Sequence, residues 1–370
     1  MAILADRTIV WATGLLAIAA ILQVLVRKDI RPQWPGAAII LLGLLVALGF
    51  LSLLWSIDAQ RSFRVAISVA IFAAAAVMIC AWMSGFAADI DMRQITLSAA
   101  IGIILAAVLF LLLMLTAHPG DNLSRYNRPL CLAMLSAWPV AALLWHQRRR
   151  RLLALLAAAV TAAIFSSESA AAMLALLAGV FVMLLACSIG ARLTAIMFAV
   201  AQTIGILLLV PGGYWLMGDL PQTAWLPSSA YHRLEIYSFA AQAIVERPWT
   251  GWGLSTFRLF PASEEDLAAF VYLKGMPTHV HNNFLEAWYD LGVVGFILAA
   301  LLPLAAIRWS LRLPAPALGF ATAGVASTVM IAMLSFGFTQ SNWLAILIWI
   351  TLLWALCERG LTPLGVMADA

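Results

Sequence analysis

Long apolar runs separated by short polar punctuation dominate the chain, at 8–26, 35–55, 63–84, 95–116, 129–146, 152–167, 170–188, 193–211, 284–307, 317–337 and 341–357. Most are about the length an α-helix needs to cross a hydrocarbon layer of roughly 30 Å. In lipid every peptide group must be satisfied internally, which leaves helices or a closed barrel. These runs lack two-residue alternation, so they predict helices. The expected fold class is all-α: a polytopic transmembrane helical bundle of about 11–12 spans. The sixth and seventh runs are short and separated only by Ser167-Glu168-Ser169.

One long polar segment interrupts the pattern and predicts three parts: an N-terminal bundle over 1–211, a loop region over 212–283 and C-terminal helices over 284–370. Within the loop region Ser229 can cap a helix over roughly 230–247, with Leu234, Tyr237, Ala241 and Ile244 on one face and Pro248 beyond its end. Gly251 and Gly253 then mark a turn. Ser263, the acids Glu264 to Asp266, Lys274 and Gly275 signal a second helix, apolar enough on one side to lie on the membrane or lid a cavity. Asn283 and Glu286 read as an N-cap and its N3 partner, which starts a helix at Phe284 and leaves His281 just outside its first turn.

Composition narrows the class. With 64% hydrophobic and 10% charged residues the chain is no ordinary soluble domain, whose apolar share is about half. Its basic residues are scattered among loops, which argues against nucleic acid, and the one cluster, Arg148 to Arg151, fits membrane topology. Alternate short loops hold twelve positive residues on one side and five on the other. The positive-inside rule therefore predicts a cytoplasmic side for the first set and an extracytoplasmic side for 212–283 and for the N-terminus. No cleavable signal is expected, because the first apolar run is long and lacks a small-residue cleavage site. Cys80, Cys131, Cys187 and Cys357 have no paired spacing and read as small packing residues.

The candidate chemistry concentrates where the polar segment re-enters the membrane. A helix N-terminus beside His281 offers unpaired N–H groups and a positive dipole end, suited to an anion such as a pyrophosphate. The same end keeps an imidazole neutral, the form that accepts a proton. Arg233, with His232, falls in the predicted first turn of its helix, where positive charge opposes the dipole. Anion binding would account for it, since a guanidinium forks onto phosphate. A solvated arginine is the plain alternative. Arg258, Arg125 and Arg128 lie on the same predicted side as further phosphate candidates, each also readable as headgroup-facing. Glu168 is either an arginine partner or a helix cap. His279 and His281 share an extended stretch, but a third ligand at recognisable spacing is missing, so no metal site is expected. Asp89-Ile90-Asp91 has the shape of a metal-binding Asp-x-Asp, yet falls on the opposite side and reads as a solvated loop. Asp290 enters an apolar span and needs a partner there.

His281-Asn282, nine residues, then Gly292-Val293-Val294-Gly295 resembles the His-Asn-x9-Gly-x-x-Gly signature of bacterial O-antigen ligases and related polysaccharide polymerases. Tyr231 to Glu235, Glu246-Arg247-Pro248 and Gly251-Trp252-Gly253 resemble the stretch of that family whose arginine holds undecaprenyl pyrophosphate. The resemblance is strongest over 228–295 and weaker over 51–64 and 125–145. It implies a metal-independent, cofactor-free glycosyltransferase of the bacterial inner membrane, with its active site facing the periplasm and among membrane lipids. The donor would be an undecaprenyl-pyrophosphate-linked glycan and the acceptor a hydroxyl of lipid A core or another glycan. Arg233 would hold the departing pyrophosphate, His281 would take the acceptor's proton, and Asn282 would orient the imidazole or the sugar.

Two departures stand out. Ser167-Glu168-Ser169-Ala170 supplies no arginine where many family members carry one. The family also usually begins inside with about twelve spans, and Leu53 to Asp58 resembles a segment that follows a later helix in relatives, which implies one further N-terminal helix. An O-antigen or exopolysaccharide polymerase is the nearest alternative. A polysaccharide or lipid transporter is the alternative of another class, disfavoured because the spans are nearly free of charge and no repeat is visible.

Overall fold

The computed structural model describes residues 5–26, 36–85, 91–118, 126–215, 227–263 and 275–361. Among them the helices run α1 Ala5–Val26, α2 Gly36–Leu51, α3 Ala59–Gly85, α4 Met92–Leu115, α5 Asn127–His146, α6 Arg150–Phe165, α7 Ala170–Ile189, α8 Ala191–Leu207, α9 Leu209–Trp215, α10 Ser228–Glu246, α11 Asn283–Ser310, α12 Ala315–Leu334 and α13 Ser341–Leu361. The chain is an all-helical, multi-pass membrane protein.

A helix stands at every one of the eleven predicted positions, but fewer than eleven meet the requirements of a full span. Eight described helices are long and apolar enough, or nine if α8 and α9, bent by 44°, form one span. The two remaining positions, α2 and α6, hold 16-residue helices, about 24 Å at the α-helical rise and shorter than the hydrocarbon layer. The second helix expected after Ser263 lies outside the described residues.

The most enclosed helix is α12, with 72% of its apolar window buried against 17% in α3. It is rich in Ala, Gly and Ser, which lets neighbouring backbones approach where no hydrophobic force separates protein from lipid. A Cβ on Gly179 of α7 would collide with Ser327 and Trp138. At that crossing Trp138 Nε1 donates to Ser327 Oγ (3.0 Å), which donates to Ala175 O (2.8 Å) and ties α5, α12 and α7 together.

Contacts sort the helix ends into two poles, as the alternation of loops requires. At one, Gln147 after α5 donates to Thr96 Oγ1 of α4 (2.9 Å), and Trp309 near the end of α11 donates to Glu358 near the end of α13 (3.1 Å). Gly360 of α13 lies against Leu143 and Met92, which joins these pairs into one pole. Asp91 caps α4 here by accepting from the Arg93 and Gln94 amides, where the sequence predicts a solvated loop; Asp89 and Ile90 lie outside the described residues. The starts of α3, α5, α11 and α13 gather at the other.

α11 is two helices in one. Gly292 adopts φ 69° and ψ −168° in its interior, leaving a first piece over 283–291 and a second over 293–310, the latter about 27 Å long and by itself close to a full crossing. The break frees carbonyls that the 248–253 loop takes up: Trp252 N–H donates to Tyr289 O (2.8 Å) and Gly253 N–H to Asp290 O (2.9 Å), while Val293 N–H donates back to Pro248 O (2.9 Å). A side chain at Gly292 would collide with the Trp249 and Thr250 backbone, and one at Gly251 with that of Tyr289 to Gly292. The glycines of the His-Asn-x9-Gly-x-x-Gly pattern thus have a physical reason at Gly292. The α2–α3 connection completes the dock, with Trp55 Nε1 donating to Thr250 O (2.8 Å) and Ile57 N–H to Trp252 O (3.2 Å).

Candidate active site

α10 begins at Ser228 behind Pro227 as N-cap, not at 230 behind Ser229. Pro227 is extended, as a residue entering a helix must be, and Ser229 already lies inside. Arg233 is therefore in the second turn, where the dipole opposes it less than the sequence implied. Its position follows from two carbonyls: Nη1 donates to Ser229 O one turn back (2.9 Å) and Nε to Leu334 O at the end of α12 (3.0 Å). The other three N–H groups of the guanidinium bond to no described residue.

The N-terminus of α11 is likewise shifted by one residue. Asn282, not Asn283, is the N-cap, its Oδ1 accepting from Phe284 N (3.0 Å) and Leu285 N (3.1 Å). Glu286 thereby falls outside a capping box and turns inward. Asn282 is fully buried, with Oδ1 committed to the start of α11.

Three side chains meet on consecutive carbonyls where α12 ends. Tyr237 OH donates to Met333 O (2.6 Å), Arg233 Nε to Leu334 O, and His281 Nδ1 contacts Ser335 O (3.0 Å). With its amide oriented to suit both neighbours, Asn283 Nδ2 donates to Phe336 O (2.7 Å) and Oδ1 accepts from Trp343 Nε1. The last carbonyls of any helix lack intrahelical donors and carry its negative dipole end. The turn between α12 and α13 is thus a ready row of acceptors, and α10 and α11 supply donors to it.

This fixes the chemistry of His281. A carbonyl only accepts, so Nδ1 carries the hydrogen and, in the neutral ring, Nε2 is left with a lone pair. Burial and then the nearby charges of Arg233 and His232 hold the imidazole below its ordinary pKa, with the Ser335 bond acting in the opposite direction. The ring is neutral for reasons other than the expected one: the helix end it touches is the C-terminus of α12. His281 adopts φ 60°, an uncommon backbone conformation outside glycine, which turns the ring from the α11 entry toward that turn. His279 packs on it with ring centroids 3.9 Å apart and is pushed down to about 4 by burial, then by His281 and Arg128. Burial also raises the Tyr237 hydroxyl, which stays protonated as a donor.

The other expected residues divide. Arg128, at the start of α5, is close enough to act on His279 and joins the cluster. Arg258 is exposed and acts on Arg61 of α3, whose guanidinium bonds Ser255 O and Oγ. It belongs to the docked loop and not to the histidine cluster. Arg125 lies outside the described residues. Glu168 is exposed in the α6–α7 turn; Ser169 performs the capping there, accepting from Ala172 N. Asp290 is fully buried and does find a partner, the Ser255 amide (2.9 Å). Among the described residues no three His, Cys, Asp or Glu side chains converge as metal ligands.

Sequence reasoning missed Tyr237 and Asn283 as site residues. Tyr237 follows Arg233 by four residues, so both lie on one helical face, a signal available from spacing. That its hydroxyl would seek a carbonyl at the far end of another helix was not.

Comparison with known proteins now bears on this arrangement. Residues 153–300 match the family model described as O-antigen ligase. A Rickettsia conorii protein named "Putative polysaccharide ligase" is 38% identical over 72 residues, 19% of this chain and 18% of the relative. One of the same name from Rickettsia felis is 26% identical over 136 residues, 35% of this chain and 33% of the relative. The matches thus span between 18% and 33% of the relatives' own length. No solved structure matches the chain. Through its matched region, which contains Arg233, His281 and Gly292, the chain is O-antigen ligase-like.

Proposed function

We propose that the chain is a metal-independent glycosyltransferase that moves a glycan from undecaprenyl pyrophosphate to a hydroxyl acceptor, either lipid A core or another glycan, at the periplasmic face of the inner membrane. One observation carries this reading: an imidazole whose Nδ1–H is spent on the Ser335 carbonyl sits beside an arginine of which three N–H groups meet no described residue.

That pair matches the two demands of the transfer. The acceptor hydroxyl gives its proton to Nε2 of His281 as its oxygen bonds the anomeric carbon. The bond from that carbon to the pyrophosphate oxygen breaks, its electron pair stays on that oxygen, and the N–H groups of the Arg233 guanidinium stabilise the negative charge of the departing pyrophosphate. The Ser335 carbonyl, at the negative end of α12, stabilises the imidazolium that forms. Arg128, beside His279, extends the positive surface available to a diphosphate.

The test is transfer from a lipid-linked donor by purified protein in nanodiscs. His281→Ala is expected to lower turnover by roughly 10²–10⁴-fold while remaining folded. Arg233→Lys is expected to fail as well, because lysine keeps the charge and loses the fork. Near-normal transfer by His281→Ala would sink the assignment of the base. Full inhibition by EDTA, reversed by one particular divalent ion, would overturn metal independence.

A further inference from the structure

Among the described residues Glu286 is an acid beside the histidine cluster that this chemistry leaves without a task. It is 2% exposed, and its Oε2 has no hydrogen-bond partner among them. Its carboxyl oxygens lie against Gly337, two residues beyond Ser335, at a point that His279 Cβ also approaches, so the carboxyl sits between the stretch that carries the imidazole and the turn that carries its carbonyl partner. Gly337 lines the same spot. A Cβ there would lie 2.9 and 3.1 Å from the two carboxyl oxygens and 3.1 Å from His279 Cβ.

We propose that Glu286 is a positioning residue of the site: its carboxyl ties the 279–281 strand to the α12–α13 turn and so sets the distance and tautomer of the His281–Ser335 pair. It touches neither substrate. The His281–Ser335 and Asn283–Phe336 contacts hold the two segments on the side of the α11 entry, and the Glu286 carboxyl, wedged between Gly337 and His279, adds a contact that keeps the 279–281 stretch from shifting along the turn. The positive φ of His281 makes such a tie more needful, because a backbone held in that region relaxes unless its surroundings over-determine it. The empty space at Gly337 is what admits the carboxyl. The inference rests on His281 being the base, and the experiment separates the two.

Transfer kinetics, their pH profile and the ¹⁵N resonances of the imidazole are compared for the whole protein in nanodiscs carrying Glu286→Gln, Glu286→Asp, Glu286→Ala or Gly337→Ala. Glutamine keeps the length and an acceptor oxygen and should retain transfer within about threefold. Aspartate is too short to fill the place against Gly337, and an alanine at 337 pushes the carboxyl aside. Both should lower kcat by about 10–100-fold, the usual consequence of misplacing a reacting group by about 1 Å, with donor KM unchanged. Both should also mix the Nδ1–H and Nε2–H signals of His281. Should Glu286→Ala fail to fold, these two variants carry the test. A single Nδ1–H tautomer with wild-type kcat in the folded Asp and Gly337→Ala variants would overturn the proposal. Loss of transfer in Glu286→Gln equal to that in Glu286→Asp would overturn it too, because the carboxyl would then act by its proton. Normal transfer by His281→Ala, by contrast, removes the base itself.

Discussion

His281 and Arg233 interact as charges, and that coupling has a sign that can be measured. Arg233 helps to hold the His281 pKa below its ordinary value. In the wild type the base is therefore already deprotonated at neutral pH, and the acid limb of the kcat profile should fall below about 6.5. Removing the charge in Arg233→Gln should move that limb of the residual activity to higher pH; an unchanged limb would mean that another group titrates. His279 adds a stability effect. Its folded pKa, about 4, lies under the unfolded value of 6.5, so the unfolded chain binds the extra proton first. Stability should be full above pH 6.5 and decline as pH falls toward 4. These two residues and Arg233 were legible in the sequence because charged and titratable side chains are rare in an apolar chain. Asn282 was misread: the sequence offers two adjacent asparagines, and either can cap. Only the chain's path decides that the first caps α11 and the second reaches the α12–α13 turn.

At the level of elements, the break in α11 was not read from the sequence: the apolar run predicts one continuous span over 284–307, and hydrophobicity carries no sign that a loop forty residues earlier fills a gap at Gly292. Gly292 combines a positive φ with backbone on both sides, so Gly292→Ala faces strain and collision together. A cost of at least about 1–3 kcal/mol is expected from the conformation alone. Thermal unfolding in detergent should register it, and limited proteolysis should cut the 248–258 loop sooner than in the wild type. Equal protease resistance would show that the loop does not depend on the dock. Helix starts were misplaced by one or two residues at α10 and α11. That small error moved Arg233 out of the first turn and Glu286 out of its capping box, changing the role assigned to each.

For the molecule as a whole, the alternation of helices was readable from hydrophobicity, and the two poles of contacts agree with it. Which pole faces outward rests on the distribution of positive residues. Leu259, 43% exposed beside the docked loop, and His146, exposed at the opposite pole, are suitable reporters once replaced one at a time by cysteine in a cysteine-free background. An impermeant thiol reagent added to intact cells should label the Leu259→Cys variant and spare His146→Cys. The reverse pattern would invert the protein and move the proposed chemistry to the cytoplasm. The bonding of Arg61 to Ser255 was beyond sequence reasoning, since it depends on α3 and a loop nearly two hundred residues later meeting at one pole.

The row of acceptors at the end of α12 consists of main-chain carbonyls, at Met333, Leu334, Ser335 and Phe336. Nothing in those contacts depends on which side chains the four residues carry. What these four contacts require is spacing: inserting or deleting a single residue would hand each donor the wrong carbonyl, whereas the side chains matter there only for packing, as the buried Phe336 ring does against Trp343. Half of this site is therefore written in a form that residue-by-residue comparison reads poorly, and the matched region, which stops at residue 300, ends before it. Among related chains the length of this turn should vary less than its letters.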